Sequence, residues 1–518
     1  MNHVWTTILL VALIVNPTIK ALTQPMRASQ VDQLVQRNLA LFHIPGITVT
    51  IIKDGQIIFN RGYGLRSIST KQAVTPQTLF GIASNTKAFT AAAVALLVEE
   101  GKLHWDDRVN KYLPNFRLYD PLASQLLTVR DLLSHRSGLP TAAGDLMHDP
   151  DSTSFSLGEI LYNQRFIKPT SSLRSQFAYT NNGYLVVGAI IAKVSGMSWE
   201  SFVEQRILRP LGMIHSAASF LGCQTNSNLI DAHKRIGDSV RVVARYGSTI
   251  NDAAGGIYAS AEEMSQWVLL FLNRGRYGPG LSKRFLGESL MAELTAPQTI
   301  IPVGQPGAYQ THFAAYGLGW FLSDVKGYKE IAHSGQDVGM VSAVTMLPEL
   351  GLGVVVLTNS DSGAANAISD QIVDSYIGIA DQDRTAQLYQ REQRGQRARQ
   401  TILDSIQRQV ARQEPLASAD LASYAGVYQD QWFGKVRIRL RHDQLWFAAE
   451  RSPQLRGYMS WLGDDEFVVK WQNPELDDGV LVKFGFSSRV VNRSFVLQEL
   501  TSPRGHSYDD LRFDRVAK

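Results

Sequence analysis

The stretch GIASNTKAFTAAAVALLVEEGKL, residues 81–103, decides how the rest of the chain reads. It opens with Gly81, Ser84, Asn85 and Thr86, and from Ala88 onward it is almost wholly apolar. Strong helix formers run here without a polar face, so the segment predicts a helix over 84–100 that is central and buried. Lys87 falls in its first turn. Residues three apart on a helix share a face, which puts Lys87 within reach of the Ser84 hydroxyl. A serine is a weak nucleophile until something takes its proton. Burial disfavours an ammonium group and lowers its pKa, and that makes Lys87 a candidate base. The helix N-terminus adds positive potential near Ser84. The competing reading is a capping serine beside a lysine that snorkels to solvent. A second S-x-x-K, Ser323 to Lys326, follows a strand with no apolar helix behind it and reads as a polar strand end.

Two further motifs carry chemistry. Tyr179-Thr180-Asn181 lies just before the apolar helix 181–195, so its Tyr and Asn sit on a loop or first turn. A phenol close to an ammonium is expected to have a lowered pKa and to relay protons to a leaving group. The Asn181 amide can hold Lys87 or a substrate carbonyl. His333-Ser334-Gly335 lies on or at the end of a strand, where the glycine lets a substrate backbone come close. Backbone N–H groups of Ser84 and Gln336 would then form an oxyanion hole. Structural readings compete here too: a tyrosine packed under a cap with Asn181 as N-cap, and a histidine built into a strand. Arg136-Ser137-Gly138 ends a helix and runs into Pro140, so it reads as a turn; His135 beside it reads as structural.

Around these motifs the chain divides. Its 518 residues suggest two or three units, and 44% apolar residues can build a sizeable core. Residues 46–64 read as a hairpin turning at Asp54-Gly55. Helices are expected at 84–100, 125–134, 181–195 and 261–274, and the strand patterns return beyond 315. Strands at both ends with helices between them give an α+β unit over 25–380, an antiparallel sheet packed by helices. Residues 381–417 are rich in Arg and Gln and predict a polar linker helix. Residues 418–518 show short alternating strands and predict a small antiparallel β-barrel. The apolar run Val4–Val15 has the length of a signal-peptide core, with a cleavage point at Ala21, so residues 1–21 are expected to direct export to the periplasm or beyond. No other run reaches transmembrane length. Net charge is +4 from 51 basic and 47 acidic residues, which carries no nucleic-acid signature. The single cysteine, Cys223, reads as a small buried hydrophobe. Asp106-Asp107 and the arginine face of 436–441 read as solvated. No metal-ligand spacing, G-x-S-x-G elbow or dinucleotide loop is present, so no cofactor or metal is expected.

S-x-x-K, Y-x-N and a basic residue–Ser–Gly triplet, in that order, resemble the serine β-lactamase and penicillin-binding-protein superfamily. DLLSHRSGLP, NDAAGGIYASAEEM, YGLGWF and GLGVVVLTN also resemble family blocks, most of all those of the class C branch with its D-aminopeptidases and esterases. The resemblance covers roughly residues 28–378, and the C-terminal barrel resembles a lipocalin-like domain. It implies a β-lactamase-like fold and an acyl-enzyme. Ser84 would be the nucleophile, Lys87 its base and Tyr179 the second proton relay. Asn181 would orient these groups, and His333, Ser334, Gly335 and Gln336 would contact substrate. Many lactamases carry Lys where this chain has His333, and a neutral imidazole is a poorer carboxylate anchor. The expectation is therefore a peptidase of D-aminopeptidase or D-peptide hydrolase type acting on a small molecule or short peptide. A carboxylesterase, a β-lactamase and a binding sensor without turnover are the alternatives. A homo-oligomer is compatible with the sequence.

Overall fold

The computed structural model describes residues 24–518 except 151, 238, 246, 477, 487–492, 502–507, 509 and 517–518. The expected signal segment, 1–21, lies outside the described residues. After a first helix, α1 (Ala28–Phe42), the chain forms the hairpin β1 (Gly46–Lys53) and β2 (Gln56–Gly64), turning at Asp54-Gly55. Asp54 and Gly55 both take positive φ, as that tight turn requires. A long helical excursion follows before the chain returns as β3 (Thr299–Ile301), β4 (Ala314–Tyr316), β5 (Phe321–Val325), β6 (Tyr328–Asp337), β7 (Met340–Leu347) and β8 (Leu352–Thr358). These make one antiparallel sheet in the order β2-β1-β8-β7-β6-β5-β4-β3. The N-terminal hairpin thus joins the last strand, and the sheet closes the domain from both ends of its sequence.

Within the excursion, α2 (Thr86–Glu99) is buried along nearly its whole length. Its Phe89 ring stacks on Trp267 with centroids 3.9 Å apart. The expected helix 125–134 is two short ones, Pro121–Leu126 and Val129–Leu133. Thr128 breaks them, capping the second helix through a reciprocal box with Asp131. Then come α3 (Leu157–Asn163), α4 (Asn181–Ser195) and α5 (Ala261–Leu272). On the far face of the sheet lie α1 and α6 (Ala364–Tyr376). The polar helix α7 (Arg384–Arg412) packs on α6 and is anchored by Arg384 on Asp374. Among the described residues no single helix is long and apolar enough to cross a membrane.

The C-terminal strands β9 (Gly426–Asp430), β10 (Gly434–Arg441), β11 (Gln444–Ala449), β12 (Arg456–Gly463), β13 (Glu466–Trp471), β14 (Val480–Phe486), β15 (Arg493–Glu499) and β16 (Arg512–Arg515) form a closed antiparallel barrel. It docks against the helical side of the first unit. Asn163 donates to the Trp432 carbonyl at 2.9 Å, and the rings of Phe155 and Phe433 meet at 6.4 Å. Arg451 forks onto Glu159 at 2.8 and 3.0 Å and also holds the Ser154 carbonyl at 2.7 Å. Arg451 holds the Glu159 carboxyl down at about 2. A carboxylate depressed by folding stabilises fully above its ordinary pKa, and that contribution is lost as pH falls towards the folded value. Both side chains are partly exposed, so the pair is worth at most about 1 kcal/mol. Arg451→Ala is therefore expected to speed trypsin cleavage of α7 about twofold to fivefold near pH 8. With pepsin near pH 2, where the wild-type pair is itself failing, the ratio of the two proteins should shrink to what the Ser154 carbonyl contact of Arg451 leaves.

Candidate active site

Ser84 stands on a single 3-10 turn, Ala83–Asn85, that leads directly into α2. Two distant segments fix this turn. The Ile82 N–H donates to the Ile257 carbonyl at 2.9 Å, and the Ser342 hydroxyl of β7 donates to the Ile82 carbonyl at 2.6 Å. Asn85 Nδ2 donates back to Ser342 at 2.8 Å, and the Ile257 N–H to the Thr86 hydroxyl at 3.1 Å. Ala83 is held at φ 46°, a left-handed conformation that costs a non-glycine residue about 1 kcal/mol or more. The Ser84 N–H lies at the start of the turn, where no intrahelical carbonyl can take it. Gly335 of β6 faces it: a Cβ there would sit 2.9 Å from the Ser84 nitrogen and 2.2 Å from the Ile82 carbonyl oxygen. Gly319, in YGLGW, packs as tightly on the first turn of α2, where a Cβ would lie 2.8 Å from the Lys87 oxygen.

Lys87 is fully buried. Its Nζ lies 3.0 Å from Ser84 Oγ, 2.8 Å from Asn181 Oδ1 and 2.9 Å from the Ala254 carbonyl. Three neighbours match the three valences of an amine beyond its own carbon chain. The two carbonyl oxygens can only accept, so they take N–H donors, and the third position can donate to Ser84 or receive its proton. Burial pushes the Lys87 pKa down to about 7, against the opposing effect of Asp145. Lys87 is then partly neutral near pH 7. Asn181 is the first residue of α4; its amide oxygen faces Lys87 while Nδ2 donates to Asp145 Oδ2 at 2.9 Å.

The Tyr179 phenol is hydrogen-bonded to Ser84, and Lys87 Nζ lies 4.8 Å from the centre of its ring. The lowered phenol pKa expected from the sequence is not found. Burial raises it above the ordinary value, and the hydrogen bond from Ser84 only partly offsets that. Asp145 nearby raises it further. Behind Tyr179 lies His135, fully buried, its Nδ1 accepting from the Thr180 N–H at 3.1 Å and its ring 4.3 Å from that of Tyr179.

His333 is buried under the cleft, on the face of β6 that carries Ile331 and Gly335. A carbonyl only accepts, so the 2.6 Å contact with the Ser334 oxygen places the proton on Nδ1; Nε2 then accepts from the Tyr316 hydroxyl at 3.0 Å. Both ring nitrogens are occupied, which differs from the expected contact with substrate. Burial, then Lys87, pushes its pKa down to about 3, so the ring is neutral and offers no charge to an anionic ligand. Ser334 and Gln336 lie on the opposite, exposed face of the same strand. The second S-x-x-K is a hairpin: Ser323 donates to Glu330 across β5 and β6, and Lys326 sits in the turn.

Ser84, Asp145, Asn181 and Gln336 line a cavity of about 330 Å³, and Leu455, Glu475, Leu476 and Tyr508 of the barrel complete its wall. Among the described residues six carboxylates line it (Asp145, Asp149, Asp252, Asp337, Asp361 and Glu475) against the cations Lys234 and Arg245. Sequence reasoning missed Asp145, His148 and all the barrel contributions. They come from loops without periodicity, which carry no signal of where they will pack.

The family model described as Beta-lactamase matches residues 31–376, the whole span that builds this Ser-Lys-Tyr-Asn arrangement. The chain belongs to the Beta-lactamase family. In this Beta-lactamase-family chain a second model, a domain of unknown function (DUF3471), matches residues 411–510. "Protein flp" of Staphylococcus aureus is 29% identical over 345 residues, covering 64% of this chain and 63% of its own length. "Unguisins hydrolase ungD'" of Aspergillus campestris is 26% identical over 363 residues, covering 68% and 66%. The chain thus spans just under two thirds of the length of these curated relatives. The octameric penicillin-binding protein homologue from Pyrococcus abyssi matches with a TM-score of 0.61 and 23% identity over 95% of this chain and 100% of that one. SurE matches with a TM-score of 0.54 and 21% identity over 94% and 98%. Both structures share the fold. An α+β unit with a β-lactamase-like antiparallel sheet, followed by a small barrel, is the architecture read from the sequence.

Proposed function

We propose that the protein is a serine hydrolase that forms an acyl-enzyme on Ser84 and cleaves small amides, as a peptidase of D-aminopeptidase or D-peptide hydrolase type. The observation that carries this reading is the Ser84–Lys87–Asn181 contact, with a buried and partly neutral amine 3.0 Å from the serine oxygen. Neutral Lys87 takes the Ser84 proton as Oγ attacks the substrate carbonyl carbon. The Ser84 N–H, with that of Gln336, receives the developing oxyanion. Tyr179, protonated because it is buried, gives its proton to the leaving amine and is reprotonated from Lys87. Water then enters by the reverse sequence and releases the acid. Asn181 positions Lys87. His333 acts from beneath the cleft by packing behind Tyr179, with ring centroids 6.3 Å apart.

A neutral His333 and the carboxylate-rich cavity favour a substrate carrying an amine over one carrying a carboxylate, which ranks the peptidase above a β-lactamase. The neutral His333 also suits an ester, so a carboxylesterase is the second reading. The barrel residues in the cavity wall support a size limit on substrates. Export rests on the run Val4–Val15. The octamer named for the Pyrococcus homologue supports homo-oligomerisation.

The test is intact-protein mass after incubation with a fluorophosphonate. One adduct is expected on the wild type and none on Ser84→Ala. Turnover of D-alanine para-nitroanilide, short acyl esters and nitrocefin then ranks the activities. If all three are left untouched, the peptidase and esterase readings both fail.

A further inference from the structure

Asp145 and His148 together place three polar atoms without a hydrogen-bond partner among the described residues in the cavity wall. Both are more than nine-tenths buried, and both line the cavity with Ser84. Asp145 Oδ2 is used, accepting from Asn181 at 2.9 Å. Asp145 Oδ1 has no hydrogen-bond partner among the described residues, and neither has either ring nitrogen of His148. His148 Nε2 lies 3.2 Å from Asp145 Oδ1, close enough for charge pairing but not aligned as a hydrogen bond. Buried polar atoms in native proteins are almost always satisfied, and a buried carboxylate short of donors is costly. Two acceptors beside a reactive serine, in a wall with an excess of carboxylates, call for a ligand that brings both positive charge and several N–H donors.

We propose that Asp145 and His148 are the subsite for the free ammonium group of an amino-acid or peptide substrate, so that the enzyme reads the amino end next to the bond it opens. This rests on the hydrolase reading above and names its substrate class. A primary ammonium has three donors. One goes to Asp145 Oδ1 and one to a ring nitrogen of His148. The link from Asp145 through Asn181 to Lys87 and Ser84 is continuous, with steps of 2.9, 2.8 and 3.0 Å. The subsite therefore adjoins the position of the carbonyl under attack. The bound cation also offsets the Asp145 charge that holds the Lys87 pKa up, and so keeps Lys87 in the form that accepts a proton.

The experiment is calorimetric titration of the full chain carrying Ser84→Ala, with D-alaninamide and with N-acetyl-D-alaninamide. The free amine is expected to bind about 30-fold more tightly, the ordinary effect of a buried charge-assisted contact. In Ser84→Ala with Asp145→Asn, which preserves shape and the bond from Asn181, that ratio should fall to about threefold or less. If a thermal melt shows the double variant unfolded, Ser84→Ala with His148→Gln carries the comparison, and its ratio should fall several-fold. Equal affinities in Ser84→Ala, no binding of either compound at millimolar concentration, or a ratio that survives both substitutions would each overturn the proposal. Binding is read here without catalysis, so a wild type that fails to take the fluorophosphonate would sink the hydrolase reading separately.

Discussion

Lys87→Arg is expected to slow acylation of Ser84 by about 1,000-fold, although it keeps the positive charge. General base catalysis contributes about 100- to 10,000-fold, and it needs a group that can be neutral at the working pH. A guanidinium does not deprotonate in a protein. The site is also shaped for an amine. Ser84 Oγ, Asn181 Oδ1 and the Ala254 carbonyl surround one nitrogen at 2.8–3.0 Å in a fully buried setting, and a planar fork does not fit it. The measurement is the rate of fluorophosphonate adduct formation against pH. For the wild type the neutral amine is the active form, so the rate should rise through about pH 7 and level off. Tyr179 is held above its ordinary pKa, so no alkaline fall is expected near pH 10. A flat profile from pH 5 to 9 would remove Lys87 as the base.

Gly335→Ala should cost both stability and activity. The added methyl carbon would lie 2.2 Å from the Ile82 oxygen, 2.6 Å from Ser342 Oγ and 2.9 Å from the Ser84 nitrogen. Two of these atoms are backbone, and the third is tied by hydrogen bonds of 2.6 and 2.8 Å to Ile82 and Asn85. None can move without moving the serine. Overpacking of this kind costs about 1–3 kcal/mol, which lowers the melting temperature by several degrees. Obstructing the Ser84 N–H removes an oxyanion donor and should slow acylation about 100- to 1,000-fold. Calorimetric melting and adduct kinetics on the same preparation check both. A variant that melts lower but acylates at the wild-type rate would show that this N–H does not serve the oxyanion.

Much of the site was legible because its parts are local. Ser84 and Lys87 are three residues apart at a helix start, and Asn181 opens a helix, so their geometry follows from helical spacing. The hairpin at Asp54-Gly55 was equally local. The fate of His333 was not. A strand offers two faces, and the register with β7 decides which face is buried; nothing in EIAHSG says whether the histidine or the serine beside it looks into the cleft. The break at Thr128 comes from its reciprocal hydrogen bonds with Asp131, while the apolar pattern around it reads as one continuous helix. Asp145 and His148 had no local signal at all. Their loop is held by the Ala142 N–H on the Tyr179 carbonyl and by Asn182 on the Ala143 carbonyl, contacts between segments nearly forty residues apart.

The tethering of the Ser84 turn has a consequence for biosynthesis. Its supports lie far along the chain: Lys87 and Ala254 are separated by 167 positions, Thr86 and Ile257 by 171, Ile82 and Ser342 by 260. Contacts of such long range close late, because large loops must be ordered before they contribute anything. A ribosome-bound chain therefore carries Ser84 from early in its synthesis without an assembled centre around it. Reactivity appears only when β7 has emerged and the sheet has closed, which ties the onset of activity to completion of the fold.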